Sequence, residues 1–157
     1  MAKSKDNVKV VARNRKARHE YEIEDTYEAG IVLKGTEVKS LRQGTCSLNE
    51  AWARPRDGEI FLIDMHIPPY DQASISNHEP KRPRKLLLHQ QEIDRIVSQC
   101  TQRGYTLIPL SVYFKNGYAK VELALARHRK EWDKRRQKEK RRQREDAERA
   151  LRRRRNR

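Results

Sequence analysis

The sequence predicts a mainly β chain, a small closed or partly open barrel with packed helices, followed by a strongly basic tail. Three observations carry this. Five or six short β-forming runs are separated by turn signals, only one stretch shows a long helical period, and apolar content collapses after residue 126. With 157 residues, 38% of them charged, and a mean hydropathy of −1.12, the chain has room for one modest core beside solvated segments.

The formal net charge of +15 is unevenly spread. Residues 1–20 hold seven Lys or Arg against two acids, residues 127–157 hold seventeen against six, and residues 21–126 hold thirteen against fourteen. A near-neutral body with two cationic arms points to a polyanionic partner, and nucleic acid fits better than an acidic protein or a membrane surface. The expected organisation is a flexible basic arm over 1–10, a barrel domain over 11–126 and a basic tail over 127–157.

Taken in order, the arm lacks any period that would bury a face, and order is expected to begin between Val10 and Arg18. Tyr21 to Leu33 reads as a strand with a bulge or sharp bend at Ala29-Gly30. Thr36 is placed to cap a short helix through Arg42, with Val38 and Leu41 on one face and Gly44 as its stop. Ala51–Arg54 and Glu59–Ile67 form a hairpin around Asp57-Gly58. Residues 70–85, with Pro80, Pro83 and the cluster Lys81, Arg82, Arg84, Lys85, read as an exposed connection. Leu86-Leu87-Leu88 then leads into a helix on which Ile93, Ile96, Val97 and Cys100 share a face, closed by Gly104. Tyr105–Phe114 and Tyr118–Ala126 form the last hairpin about Asn116-Gly117, with Val121, Leu123 and Leu125 alternating with Lys120, Glu122 and Ala124. An oligonucleotide-binding-type barrel is the natural candidate for this order. In the tail only Trp132 and Leu151 are sizeable apolar residues, so a helix there lacks a packing stripe. Alone it is expected to be disordered or fraying, and helical once RNA neutralises its charge.

Cys46 and Cys100 are the only cysteines; with no C-x-x-C spacing they suggest neither a disulfide framework nor zinc, and fit a reducing cytoplasm. No apolar run of membrane-spanning length and no N-terminal h-region appears. The five histidines have no metal-ligand spacing, and no phosphate loop or nucleophile elbow is present, so neither cofactor nor catalysis is expected. Glu22, Glu24, Asp25 and Glu28 could be a nuclease's metal site, but a solvated strand face is the simpler account.

Asn14-Arg15-Lys16-Ala17-Arg18-His19-Glu20, Tyr27-Glu28-Ala29-Gly30-Ile31, Gly35-Thr36-Glu37-Val38-Lys39-Ser40-Leu41-Arg42, Arg84-Lys85-Leu86-Leu87-Leu88 and Asp133-Lys134-Arg135 together resemble small protein B (SmpB), the SsrA-binding protein family of bacteria. The match runs in register from about residue 11 to 136. The resemblance implies an oligonucleotide-binding-fold barrel without enzymatic activity that binds transfer-messenger RNA at the elbow of its tRNA-like domain. It also implies a tail that enters the vacant mRNA channel at the decoding centre of a stalled ribosome's small subunit. Elongation factor Tu accompanies the alanyl-charged RNA, and a cytoplasmic monomer is expected.

By position, Asn14, Glu28 and Leu87 match the family's RNA contacts. Asn14 has the chemistry to bond a base edge or ribose, and Leu87 to pack on an unstacked base. Glu28 should be repelled by RNA unless it accepts from a base amine or ribose hydroxyl, or orients a neighbouring Arg. Arg15, Lys16, Arg18, His19, Lys39, Arg42, Arg82, Arg84 and Lys85 complete the expected RNA surface, the Lys and Arg by phosphate contact. In the tail, Arg129, Lys130, Trp132, Asp133, Lys134 and Arg135 are the expected decoding-centre residues, with Trp132 either stacking on bases or folding back on the barrel. Where the family has a glycine-containing run, this chain reads Arg127-His128-Arg129-Lys130, which restricts φ at the junction. Two rival accounts remain: a ribosomal or RNA-chaperone protein whose arms thread rRNA, and a metal-dependent nuclease.

Overall fold

The computed structural model describes residues 7–72, 76–129 and 131–156. Its elements are β1 (Val8–Arg13), α1 (Ala17–Glu20), β2 (Tyr21–Ile31), α2 (Gly35–Arg42), β3 (Trp52–Arg56), β4 (Glu59–Ile63), β5 (Arg84–Leu87), α3 (Gln90–Arg103), β6 (Thr106–Lys115), β7 (Tyr118–His128) and α4 (Glu131–Arg155). Every strand pairing is antiparallel, and the neighbours run β6-β3-β4-β5-β2-β7, with β7 pairing back on β6. That ring is an oligonucleotide-binding-like barrel, and β1 lies outside it along the C-terminal half of β6.

Alternation fills the barrel. Ile60, Leu62, Leu86, Leu107, Val112, Val121, Leu123 and Leu125 point inward and are buried, joined by Leu41 from α2 and by Ile93 and Ile96 from α3. The opposite face of β6 and β7 is also covered at one end, where Ala17 of α1 packs on Ile108, Leu110, Ala124 and Ala126. Ala124 therefore does not face solvent as its alternation with Leu123 suggested. The small residues of β7 make room for α1.

Both expected hairpin turns are present, with positive φ at Asp57, Gly58, Asn116 and Gly117, the backbone of a two-residue turn that follows strand twist. Elsewhere the structure moves several boundaries. β1 starts at Val8, inside the expected arm, because Val8 pairs with Lys115 and the Asn116 N–H donates to the Asn7 carbonyl at 2.9 Å. The bulge of β2 lies between Ile23 and Asp25, and Gly30 stays in register, pairing with Lys120 on one side and Leu87 on the other. Thr36 is not the cap of α2, since Lys34 occupies that place and the Thr36 hydroxyl meets Nδ1 of buried His78 at 2.9 Å. β4 stops at Ile63 because Asp64 takes a φ of 59°.

The largest correction is at residues 84–87, expected to be part of a loop and the approach to a helix. They form β5, a central strand on which Arg84 and Leu86 face inward and Lys85 and Leu87 outward. The tail is a helix in the free chain over Glu131–Arg155, and its missing stripe is real, since every side chain described in it is exposed. Its helicity rests on strong helix formers and on pairs such as Glu145 with Arg149 and Glu148 with Arg152, acid four residues before base. No helix among the described residues is long and apolar enough to cross a membrane.

Candidate nucleic-acid interface

The outward residues of β5, β2, β7, β6 and β1 form one face, and the strand registers lay it out. One row runs Leu87, Gly30, Lys120, Tyr113, Val10, and the next runs Glu28, Glu122, Ser111, Arg13. Three strand gaps of about 4.8 Å put Arg13 about 14 Å from Glu28, and Asn14, just past β1, lines a separate hollow beside α1 with Lys16, Glu20, Tyr21, Asn49 and Trp52.

Glu28 is the ridge between two hollows on that face. One is lined by Gly30, Leu87, Leu88, His89, Glu92 and Lys120; the other includes Val10, Arg13, Ser111, Tyr113, Lys115 and Glu122. The Tyr113 hydroxyl donates to the Glu28 carboxylate at 2.5 Å, and the Lys115 ammonium lies 3.3 Å from its other oxygen. The Tyr113 hydrogen bond holds the Glu28 carboxyl below its ordinary range against the opposing effect of partial burial, with Lys115 assisting. Burial and the bond to Glu28 in turn push the Tyr113 phenol upward, so it stays a donor. Among the described residues no arginine bonds Glu28, and the neighbour it orients is Lys115.

Leu87 is 51% exposed although apolar. It lies over Gly30, where an added Cβ would stand 3.2 Å from the Leu87 Cβ. Asn14 is fixed to β6, its backbone N–H donating to the Leu110 carbonyl at 2.8 Å and its side-chain amide to the Pro109 carbonyl at 3.1 Å. The next residues, Arg15, Lys16, Arg18 and His19, are exposed around α1, with Ala17 turned inward as its anchor.

Other expected RNA contacts are placed elsewhere. Arg84 is fully buried and donates to Glu37 through Nε, to the Met65 carbonyl at 2.6 Å and to the Pro80 carbonyl at 3.1 Å. A guanidinium spent on three internal acceptors presents nothing to a phosphate, and the expected contact is withdrawn. Arg82 also pairs with Glu37, at 2.5 Å, and Lys85 pairs with Glu59 at 2.6 Å while remaining partly exposed. Lys39 and Arg42 are exposed on α2 but lean on rings, 5.6 Å from the centroid of Tyr70 and 5.3 Å from that of Phe114.

The tail leaves beside α1. β7 continues to His128, whose ring meets Tyr21 edge-on at 5.1 Å, and the Arg129 N–H donates to the Glu20 carbonyl at 2.8 Å. The junction without the family glycine is thus strand as far as His128, next to the cations of α1. Lys130 lies outside the described residues, Trp132, Asp133 and Lys134 are described as α4 backbone only, and Arg135 is exposed. Tyr113, Lys115, Lys120 and Arg13 were absent from the expected surface, although outward alternation in the last hairpin marks Lys120.

Comparison with known proteins gives the same direction throughout. The model of the family described as "SmpB protein" matches residues 11–153. The SsrA-binding protein of Halothermothrix orenii is 52% identical over 148 residues, 94% of this chain and 93% of that protein. That of Acidothermus cellulolyticus is 60% identical over 127 residues, 81% and 80% of the two chains. A solved chain described under "tmRNA-SmpB: a journey to the center of the bacterial ribosome" superposes with a TM-score of 0.64 at 53% identity, covering 76% of this chain and 85% of that one.

Proposed function

This chain belongs to the SmpB family, and from that premise we propose that it binds transfer-messenger RNA and brings it to stalled ribosomes for trans-translation. The barrel engages the tRNA-like domain through the face of Glu28 and Leu87 and through Asn14 beside α1, and α4 occupies the vacant mRNA channel at the decoding centre. The observation that carries this assignment of faces is the pairing of Glu28 with a bare Leu87 around one hollow. A solvated acid beside an exposed leucine serves no core and suits an unstacked base with a polar edge. Lys16, Arg18 and His19 flank the root of the tail, a placement that supports continuous RNA contact from barrel to tail. The protein acts as a cytoplasmic monomer without catalytic step or cofactor, and elongation factor Tu joins through the alanyl-charged RNA.

Competition binding of the full chain to the tRNA-like domain against ordinary tRNA, near physiological salt, tests the reading. The expected result is a clear preference for the tRNA-like domain that Asn14→Ala and Leu87→Ala each erase. Equal binding of both RNAs, insensitive to either change, would leave a generic cationic binder. Removing residues 131–157, which spares β7, is expected to keep that preference while abolishing peptide tagging on stalled ribosomes. Loss of both together would overturn the division between barrel and tail.

A further inference from the structure

The root of the tail is tied to the barrel by more than strand pairing. Tyr21 and Glu22, which open β2, pair with His128 and Arg127, which close β7. Opposed residues of an antiparallel ribbon share a face and successive ones alternate, so these last two rungs are fastened on both faces. On one, the His128 ring meets Tyr21 edge-on at 5.1 Å, within the range of favourable aromatic pairs. On the other, the Arg127 guanidinium donates to the Glu22 carboxylate at 3.0 Å. Tyr21 packs in turn on the cluster of Ala17, Ile108, Ala124 and Ala126, which anchors the ring pair to the barrel wall. The ladder then runs one residue past the strand: the Arg129 N–H donates to the Glu20 carbonyl at 2.8 Å, and the His128 Nδ1–H donates to the Arg129 carbonyl at 3.0 Å. Position 130 alone separates Arg129 from Glu131, the first residue of α4.

We infer that His128 is a positioning residue for the tail: with Tyr21 it forms a latch that fixes, in the free chain, the direction in which α4 leaves the barrel. The inference rests on the role proposed above, in which α4 enters the mRNA channel, and adds how the helix is aimed. His128 is exposed and fills no core, so its two directed contacts, one to a ring and one to a carbonyl, are what distinguish it from any other strand end. A glycine at 128 would lose both contacts and gain freedom in φ, turning residues 128–130 into a hinge. The lever is long: α4 has 25 residues, about 37 Å at 1.5 Å per residue, so a swing of about 30° at the root moves its far end by about 19 Å. Holding one direction beforehand removes part of the ordering cost from the step in which the helix is threaded.

The test uses the full chain carrying Cys46→Ala, Cys100→Ala, Gln102→Cys and Gln143→Cys, spin-labelled at the two new cysteines on exposed positions of α3 and α4. Pulsed electron resonance then reads the distribution of distances between barrel and tail. A narrow distribution is expected for this parent chain, and a clearly broader one for His128→Gly and for Tyr21→Leu, which keeps apolar packing but not the ring. His128→Phe, which keeps the ring, should be narrow again. On stalled ribosomes His128→Gly should lower the tagging rate several-fold and His128→Phe should recover most of it, with Tm and the preference for the tRNA-like domain little changed in either. The inference fails, while the proposed function stands, if the parent distribution is as broad as that of His128→Gly, if His128→Phe behaves like His128→Gly, or if the distribution broadens with no loss of tagging. If removing residues 131–157 leaves tagging intact, the proposed role of the tail itself fails.

Discussion

Two glutamates, nine residues apart, each gather cations from distant segments, and they are put to opposite uses. Glu37 is fully buried, and its carboxylate accepts from the Lys34 N–H at 2.8 Å, from Arg82 at 2.5 Å and from Arg84. Arg84 reaches on to the carbonyls of Met65 and Pro80, so one acid ties α2, β5 and the segment after β4 together. Glu28 has 42% of its side chain exposed and is gripped on one flank alone. Saturation and burial, not residue type, separate the acid that holds the fold from the acid we propose meets RNA.

The largest expected effect breaks that comparison if it fails. Removing one member of a buried ion network leaves the others desolvated and unpaired, so Glu37→Ala should cost about 3–5 kcal/mol of unfolding free energy. Glu28→Ala, at an exposed pair, should cost about 1 kcal/mol or less and act on RNA binding instead. Urea denaturation monitored by circular dichroism checks both. Comparable losses from the two substitutions would mean that Glu28 is structural as well.

Acid unfolding sharpens the contrast. Burial alone would raise the Glu37 carboxyl, but hydrogen bonds from Arg82, Lys34 and Arg84 outweigh it and leave the group below its ordinary value of 4.5. A carboxyl depressed in the folded state contributes stability that is present above the unfolded value and lost as pH falls through the folded one. Stability should therefore begin to decline as pH drops below about 4.5 and keep declining toward the folded value. Glu37→Gln should flatten that limb in denaturation curves taken from pH 7 down to 3. Glu28 shifts in the same direction but is partly solvated, so Glu28→Gln should flatten the limb less.

How much of this was legible in the sequence follows the same line. Hairpins announced by Asp57-Gly58 and Asn116-Gly117, the periodic helix α3 and the near-neutral barrel with its basic tail all declare themselves locally. β5 did not, because four residues that follow Pro83 and run into the Leu86-Leu87-Leu88 stretch give no period to count, and Arg82, Arg84 and Lys85 read as one exposed basic cluster. Had residues 84–87 been taken as a strand, strict alternation would have sent Arg84 inward with Leu86, and Glu37 on the neighbouring helix would have been its natural partner. Asn14, Glu28 and Leu87 were available through the family resemblance. Tyr113 and Lys115 were not, because their role depends on β2 and β6 both flanking β7, a long-range pairing that no local pattern encodes.

The smallest expected effect separates Arg84 from its neighbour. Lys85 points outward beside Leu87, and its pair with Glu59 at 2.6 Å has both side chains about two-fifths exposed. Lys85→Ala should change stability by about 0–1 kcal/mol, the range for exposed pairs. If Lys85 also meets a phosphate, the dependence of log affinity for the tRNA-like domain on log salt should lose about one unit of slope, with no change in base preference. Arg84→Met removes a charge one residue away, yet at a temperature where the variant remains folded it should leave that slope unchanged. A slope lowered by Arg84→Met as much as by Lys85→Ala would place the Arg84 guanidinium on the RNA and undo the distinction between the buried cluster and the exposed face.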